Sequence, residues 1–266
     1  MLWGAESMIS FFNTKKGGIR MKKIVFILCM SLAVTMCTSP CMAKQKKVTY
    51  KYKASNKTLT ISGKYLKGQG PIGILDVYDQ ATKCDYKWST LSSKVKKVVL
   101  KKGVERIGHN AFGDFRKLKS VKFPKTLKQI DAYAFCDTQI RNLQLPDNVR
   151  VIGGEAFCAE VISGNMKTIK LSAKLKTIGK WAFSGQKFKE LMIPSNVEKI
   201  GSHAFSGCQS LDKIVIKSKK LKKIGSLAFA TIGHNAVIYV PQEKEQEYRE
   251  MITATTISPE VQIIAQ

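Results

Sequence analysis

Acidic residues and histidines are scarce in this sequence. The 266 residues include 19 Asp and Glu against 45 Lys and Arg, so the formal net charge at pH 7 is +26. No acid-rich loop of the kind that binds calcium is present. The three histidines form no HExxH motif and the cysteines form no paired CxxC motifs, which removes the usual sequence signs of a zinc site. We therefore expect neither a metal nor a cofactor.

The sequence also lacks a catalytic set. A nucleophile, a base and an orienting partner must come together for covalent catalysis, and the spacing of His109, His203 and His234 assembles no such set. Residues 68–73, GQGPIG, match the GxGxxG pattern, and Pro71 stands where a helix should start. No βαβ unit surrounds them and the chain is expected to be exported, which argues against a dinucleotide site. We read them as a glycine-rich loop and expect that the protein is not an enzyme. A hydrolase would instead show a cleft with converging polar groups.

Only one long apolar run is present, and it is too short to span a membrane. Residues 21–43 begin with a basic stretch, continue through the apolar run 24–36 and end in Ala43, which is the pattern of a secretory signal peptide. Residues 1–20 fit no part of it. We take them as a non-native upstream extension, with translation starting at Met21; a real extension is the alternative. We expect an exported protein of the extracellular space or cell envelope, with no transmembrane span in the mature chain.

The mature chain is strongly basic. Residues 44–266 contain 40 Lys and Arg and 18 Asp and Glu, a net charge of +22. Such a field favours anionic partners, and the lysine-rich segment 217–223 is one candidate cluster; a solvated surface without a ligand is the alternative. Aromatic side chains that could stack on bases are nearly absent there, so we do not expect nucleic-acid binding. An acidic polysaccharide or other polyanion stays open as an alternative partner.

One phrase recurs through the middle of the chain. Ile-Gly-x-x-Ala-Phe, or a close variant, begins at residues 107, 130, 152, 178, 200 and 224, and the alanines of successive copies lie 22 to 26 residues apart. A period of this length is typical of leucine-rich repeats, in which each coil of a solenoid contributes a strand and a return segment. The phrase recurs because each coil must present the same shape to the coils above and below it.

A short apolar alternation upstream of each phrase predicts a strand. The central residues of these strands are Val99, Lys122, Gln144, Lys170, Met192 and Val215, and Tyr239 follows the last phrase. Since alternate side chains of a strand point to opposite faces, the outer residues of each triplet should point into the solenoid and the central ones onto an open sheet face. The alanines should permit close packing, and the phenylalanines should stack as an aromatic spine.

The complete pattern is aliphatic-x-aliphatic-Pro, then aliphatic-x-x-Ile-Gly-x-x-Ala-Phe. It resembles the BspA-type leucine-rich repeats of exported bacterial proteins over residues 95–240. The resemblance implies an α/β repeat solenoid, a right-handed superhelix of about seven coils with strands on one face and short helical or irregular return segments on the other. It also implies surface display and protein–protein interaction, with adhesion to host or neighbouring-cell components as the usual suggestion.

The ends of a solenoid need covering. We assign residues 44–94 to an N-terminal cap, 95–241 to the leucine-rich repeats and 242–266 to a C-terminal cap. Within the C-terminal cap, the sequence predicts a short helix over 243–251 and a last strand-like segment over 261–264. We expect the protein to be a monomer.

The central residues of the strands change character along the stack. Lys122 and Lys170 make the middle of the open face basic, whereas Met192, Val215 and Tyr239 make its C-terminal third apolar. Exposed apolar surface rimmed by charge is typical of an interaction site. We therefore predict that a protein partner binds these five residues. The alternative is that the terminal cap folds back over the apolar third.

Two cysteines, Cys136 and Cys158, occupy matching positions in adjacent coils, each two residues after the repeat alanine. Their Cα atoms should lie within disulfide reach. Nearly parallel Cβ vectors, however, would favour a pair of buried free thiols. A disulfide is the alternative, since an exported chain with an even number of cysteines permits one.

Overall fold

Short β-strands joined by turns and irregular segments, with one α-helix near the C-terminus, form the described part of the protein. The computed structural model describes residues 48–63, 65–66, 86–160, 164–255 and 257–266. The predicted signal peptide, the upstream extension and the glycine-rich loop lie outside these residues. In chain order the strands are β1 Thr49–Lys53, β2 Thr58–Ser62, β3 Tyr65–Leu66, β4 Lys97–Leu100, β5 Arg106–Ile107, β6 Ser120–Lys122, β7 Gln129–Ile130, β8 Asn142–Gln144, β9 Val151–Ile152, β10 Thr168–Lys170, β11 Thr177–Ile178, β12 Glu190–Ile193, β13 Lys199–Ile200, β14 Lys213–Ile216, β15 Lys223–Ile224, β16 Val237–Val240 and β17 Gln262–Ala265. The helix α1 is Glu245–Thr253.

The longer strands form a first sheet that extends from coil to coil. Its pairings are parallel and in register, so that Met192 lies opposite Val215 and Val215 lies opposite Tyr239. The N-terminal hairpin β1–β2 is antiparallel. Hydrogen bonding divides this sheet into three groups, β1-β2-β4-β6, β8-β10 and β12-β14-β16-β17. The outer residues of the triplets, such as Leu143 and Leu145, are buried as the alternation predicts.

A second parallel sheet follows the first within each coil, and the sequence analysis did not predict it. Its seven two-residue strands are β3, β5, β7, β9, β11, β13 and β15. From β5 onward each strand ends on the isoleucine of the recurring phrase, a β-branched residue whose stiff side chain favours extended backbone. The predicted solenoid of about seven coils is confirmed. Helical structure within the described residues is minor, since it is limited to α1 and a few 3₁₀ turns.

The phenylalanines of the phrase form the predicted aromatic spine. Neighbouring ring centroids lie 5.2 to 5.7 Å apart and their planes deviate by no more than 12°. Trp88 extends the stack beyond Phe112 at 6.0 Å, and Tyr50 of β1 contacts Trp88 edge-on at 6.0 Å. At the other end, the buried Tyr248 of α1 accepts a hydrogen bond from the backbone N–H of Leu221 at 3.1 Å. Aromatic side chains therefore cover both ends of the core.

Glycine recurs after isoleucine because neighbouring coils approach closely at that position. A Cβ atom on Gly201 would lie 2.4 Å from the backbone nitrogen of Lys180, and one on Gly179 would lie 2.4 Å from the backbone of Gly153. Only a residue without a side chain fits so near to a backbone. The glycine of the phrase is thus required by packing between coils.

The residue before each alanine of the phrase has a left-handed backbone. Its φ lies between 54° and 58° in all six copies, at Asn110, Tyr133, Glu155, Trp181, His203 and Leu227. None of these is glycine, so each position costs about 1–2 kcal/mol. The hydrogen bonds between successive turns, such as Phe183 N–H to Ala204 O at 2.8 Å, hold the backbone in this conformation.

Candidate binding face

The open face consists of the central residues of the first sheet, which point away from the core. Lys122, Gln144, Lys170 and Met192 are exposed, whereas Val215 and Tyr239 are half-buried. Register places Lys170 opposite Gln144, and Met192 begins the group that continues through Val215 and Tyr239. All five predicted site residues therefore lie on one face, with the two lysines and the three apolar residues in separate zones.

The apolar zone is longer than the sequence analysis predicted. Strand β17 pairs with β16 and places Ile264 opposite Tyr239. The side chains of Met192, Val215, Tyr239 and Ile264 thus form one continuous line over four strands, which we call the apolar row. Met192 is 51 % exposed and Ile264 is 40 % exposed, so the C-terminal cap extends this surface instead of covering it. Residues 261–264 were recognised as a last strand, but nothing in the sequence specified the register that adds Ile264.

Charged side chains lie beside the apolar row. The Lys213 Nζ atom lies 5.9 Å from the centroid of the Tyr239 ring, a cation–π contact. Glu190 precedes Met192 by two residues on the same strand and lies opposite Lys213 in the register. An exposed apolar strip with charge at its margin has the composition of the centre and rim of a protein interface.

The basic zone combines lysines with neutral polar side chains. Lys122 and Lys170 are exposed, and neither forms an ion pair with an acidic residue in the described ranges. The preceding outward position of the same strands carries Ser120 and Thr168, and the Thr168 hydroxyl donates to Asn142 Oδ1 at 2.9 Å. This zone therefore presents unpaired cations next to hydroxyl and amide groups.

The histidines do not converge on one site. His109 packs edge-on against Tyr133 with centroids 5.2 Å apart, and His203 stacks on Trp181 at 3.8 Å. His234 Nδ1 lies 3.9 Å from a Glu260 carboxylate oxygen. Desolvation lowers the pKa of His109, although the negative charges of Asp131 and Glu155 act in the opposite direction. Desolvation and the positive charge of Lys180 both lower the pKa of His203. These pKa shifts come from packing at separate coils.

Cys136 and Cys158 form a disulfide with Cα atoms 4.8 Å apart, so the preferred expectation of free thiols was wrong. Both residues lie in the turns after the phrase and outside any strand. The parallel Cβ vectors typical of paired strands therefore do not constrain them. Cys208 is buried and donates to the carbonyl of Phe183 at 3.2 Å, and burial raises the pKa of its thiol to about 12.

The Glu160 carboxyl lies beside this disulfide within a small acidic group. A hydrogen bond with the Glu155 carboxyl, desolvation and the charges of Glu155, Asp137 and Asp114 raise the pKa of Glu160 to about 7. The Cys136 and Cys158 sulfurs come within 4.8 Å of the Glu160 carboxylate. Because the disulfide uses both sulfurs, the cluster of Cys136, Cys158 and Glu160 retains only the Glu160 carboxylate as a possible metal ligand.

An open depression lies along the C-terminal helix. It is lined by glutamine, glutamate and arginine side chains of residues 242–250, with no histidine, cysteine or serine among them.

Among the residues that the structure describes, no helix has both the length and the apolar character needed to cross a membrane.

The repeats match a known family in six copies. The BspA type leucine-rich repeat region matches residues 88–164 and 161–259, which together cover most of the described chain. The chain belongs to the BspA-type leucine-rich repeat family. Repeats of this family are typical of protein-interaction modules and not of enzymes. No curated protein sequence matches the chain.

Several solved structures of bacterial leucine-rich repeat proteins are similar to this BspA-type chain. The leucine-rich repeat protein of T. pallidum shares 20 % identity, covering 83 % of this chain and 98 % of that one, with a TM-score of 0.46. A leucine-rich cell surface protein from Faecalibacterium prausnitzii shares 18 % identity, covering 86 % of this chain and 77 % of that one, with a TM-score of 0.41.

Proposed function

We propose that this protein is an exported, surface-located module that binds another protein through the open face and mediates adhesion to host or neighbouring-cell components. The apolar row is the centre of the contact, and Lys122 and Lys170 lie at its basic margin. The observation that carries the proposal is the alignment of four apolar side chains on one exposed face, extended by β17. A soluble monomer gains nothing from such a line in water, whereas a partner gains by burying it.

The pattern of exposure supports Met192 as the anchor of the contact. Its side chain is the most exposed large hydrophobic residue in the described ranges. A flexible thioether side chain adapts to an irregular partner surface, and burial of the exposed half of the Met192 side chain contributes about 0.8–1.5 kcal/mol. Val215 and Tyr239 are already partly buried by their neighbours and form a less mobile apolar surface beside Met192.

Export is part of the proposal and has its own test. A signal peptide over residues 21–43 predicts that the secreted chain begins at Lys44. N-terminal sequencing of chain recovered from the medium or the cell envelope measures this directly. Recovery of uncleaved chain in the cytoplasm alone would contradict the proposed location.

The binding test compares two substitutions that add the same charge, one in the apolar row and one outside the open face. The purified chain is presented to immobilised extracellular-matrix proteins at about 0.15 M and about 0.3 M NaCl, since apolar contacts resist salt that screens charge. Met192→Asp places a charge in the apolar row. Gln209→Asp is the matched control, because it adds the same charge to an exposed turn position outside the open face.

We expect one matrix protein to be retained at both salt concentrations. Met192→Asp should weaken that binding by about tenfold or more, the usual effect of losing an interface anchor, while Gln209→Asp should change it little. Equal loss in both variants, or binding that disappears at the higher salt, would show that the apolar row is not the contact.

A further inference from the structure

A second charged feature lies at the N-terminal ends of the strands of the first sheet. It consists of the residues that directly precede these strands. In six successive strands, from β2 to β12, this residue is a cation, and all six are exposed. We call this line the cationic row. Its members are Lys57, Lys96, Lys119, Arg141, Lys167 and Lys189.

The fold aligns the cationic row along the solenoid. The backbone N–H of Lys96 donates to Lys57 O at 2.9 Å, that of Lys119 to Lys96 O at 2.9 Å, and that of Lys167 to Arg141 O at 2.6 Å. Because neighbouring strands lie about 4.8 Å apart, six successive positions span about 24 Å. The row is thus a series of positive charges that follows the stacking of the coils.

The cationic row keeps its charge available for a ligand. None of its six members forms an ion pair with an acidic side chain within the described ranges. The next position along the row is Asp212, which ends it before the last coils. Cations crowded on one surface without counter-charges repel one another, and an anionic ligand relieves that repulsion.

Other lysine-rich parts of the surface are partly neutralised. On the second sheet, Lys128 pairs with Glu105 at 3.1 Å and Lys176 pairs with Glu198 at 3.3 Å. In the segment 217–223, Lys219 pairs with Glu243, and Lys222 lies 3.9 Å from Glu198. The segment 217–223 stands out in the sequence, whereas in the folded chain the cationic row carries more unpaired charge.

The side chains beside the cationic row identify the class of anion. Ser120, Asn142 and Thr168 follow its three central members directly, and Lys122 and Lys170 lie two residues further along their strands. Hydroxyl and amide groups hydrogen-bond to sugar hydroxyls, and the amines add charge. None of these outward side chains is aromatic, so nucleic-acid bases find no stacking platform.

We propose that the cationic row binds a linear acidic polysaccharide that carries regularly spaced sulfate or carboxylate groups. The polymer lies along the solenoid and crosses the strands, with its anionic groups on the row and its hydroxyls on Ser120, Asn142 and Thr168. The side chains of the cationic row differ from those of the apolar row, although the two rows meet at β12 and Lys122 and Lys170 border both sites. Substitutions in one row therefore leave the side chains of the other row unchanged.

The probe is a series of heparin oligosaccharides of increasing length, with binding to the purified chain measured by calorimetry at several NaCl concentrations. We expect the affinity to rise with length until the oligosaccharide covers about 24 Å, the extent of the row. The logarithm of the binding constant should fall linearly with the logarithm of the salt concentration, because bound cations displace counterions from the polymer.

Two triple variants separate the cationic row from net charge. Lys119→Gln, Arg141→Gln and Lys167→Gln together remove three central charges of the row. Lys102→Gln, Lys199→Gln and Lys223→Gln remove the same charge from exposed positions outside it. We expect the first triple to weaken heparin binding at least about tenfold and to flatten the salt slope, since each contact charge contributes on the order of fivefold. The second triple should change both quantities little.

Equal weakening by the two triples would overturn the proposal, because it would mean that only the overall field matters. Binding of single-stranded DNA with equal or higher affinity would overturn the assignment to polysaccharide. If the first triple does not fold by circular dichroism, Lys167→Gln alone provides the test, with Lys199→Gln as its control. Met192→Ala should leave heparin binding unchanged whether or not the proposed protein contact is correct.

Discussion

Replacing Phe183 with alanine should be the most informative perturbation of the solenoid. The Phe183 ring is fully buried and stacks between Phe157 at 5.3 Å and Phe205 at 5.6 Å. Truncating a buried phenylalanine to alanine costs about 3–5 kcal/mol, and two stacked contacts of about 0.5–1.5 kcal/mol each place this site at the upper end of that range. We therefore expect a loss of about 4–5 kcal/mol, a large fraction of the roughly 5–15 kcal/mol that stabilises a typical domain.

The position of Phe183 adds a second expectation. Each coil contacts only its neighbours, so a void at a central coil uncouples the coils on its two sides. Phe229→Ala is the matched control, because Phe229 is equally buried but has one stacked neighbour within the spine, Phe205 at 5.7 Å. It should cost about 3 kcal/mol and affect mainly the terminal coils.

Urea unfolding, followed by circular dichroism and tryptophan fluorescence, measures both effects. For Phe183→Ala we expect a lower midpoint and transitions that no longer coincide between the two signals, whereas Phe229→Ala should shift the midpoint less. A loss below about 1 kcal/mol for Phe183→Ala would refute the reasoning, since no relaxation of a stacked core recovers that much of the expected cost.

Three further predictions follow from the coil-to-coil contacts. Gly201→Ala should lower the free energy of unfolding by about 1–3 kcal/mol in urea titrations, because its Cβ would lie 2.4 Å from the Lys180 backbone; an unchanged midpoint would contradict this. Replacing both Cys136 and Cys158 with alanine should cost about 3 kcal/mol, since the disulfide closes a loop with a sequence separation of 22, and a thermal midpoint insensitive to reductant would oppose it. The pKa of Glu160, about 7, exceeds the ordinary 4.5, so its contribution to stability is present below pH 4.5 and lost as the pH rises through 7. Glu160→Gln should remove that pH dependence from thermal melts, and an unchanged pH profile would count against it.

The periodic features of the fold could be predicted from the sequence because every coil packs against its neighbours in the same way. The alternation around Leu143 and Leu145 predicted their burial, and the recurring Ala-Phe pair predicted the spine. Gly201 could be recognised as special for the same reason. A constraint that is repeated six times leaves a readable pattern, since chance does not reproduce it at matched spacing.

The candidate binding face could be predicted only in part from the sequence. Lys122, Lys170, Met192, Val215 and Tyr239 lie together on the open face as the alternation predicted, although their role in binding stays a proposal. The cationic row was present in the sequence as a lysine or arginine directly before each of six successive strands of the first sheet, from β2 to β12. It became evident only when the backbone bonds showed that those residues stack.

By itself, the sequence determined the solenoid, the family, the register of the repeated strands and the aromatic spine, because each depends on contacts between equivalent positions of neighbouring coils. Tertiary structure alone decided the second sheet, the Cys136–Cys158 disulfide and the addition of Ile264 to the apolar row. Those features depend on the path of the turns and on a terminal strand that has no counterpart in the repeat. A segment that occurs only once has no repeated copy in the chain from which its register could be predicted.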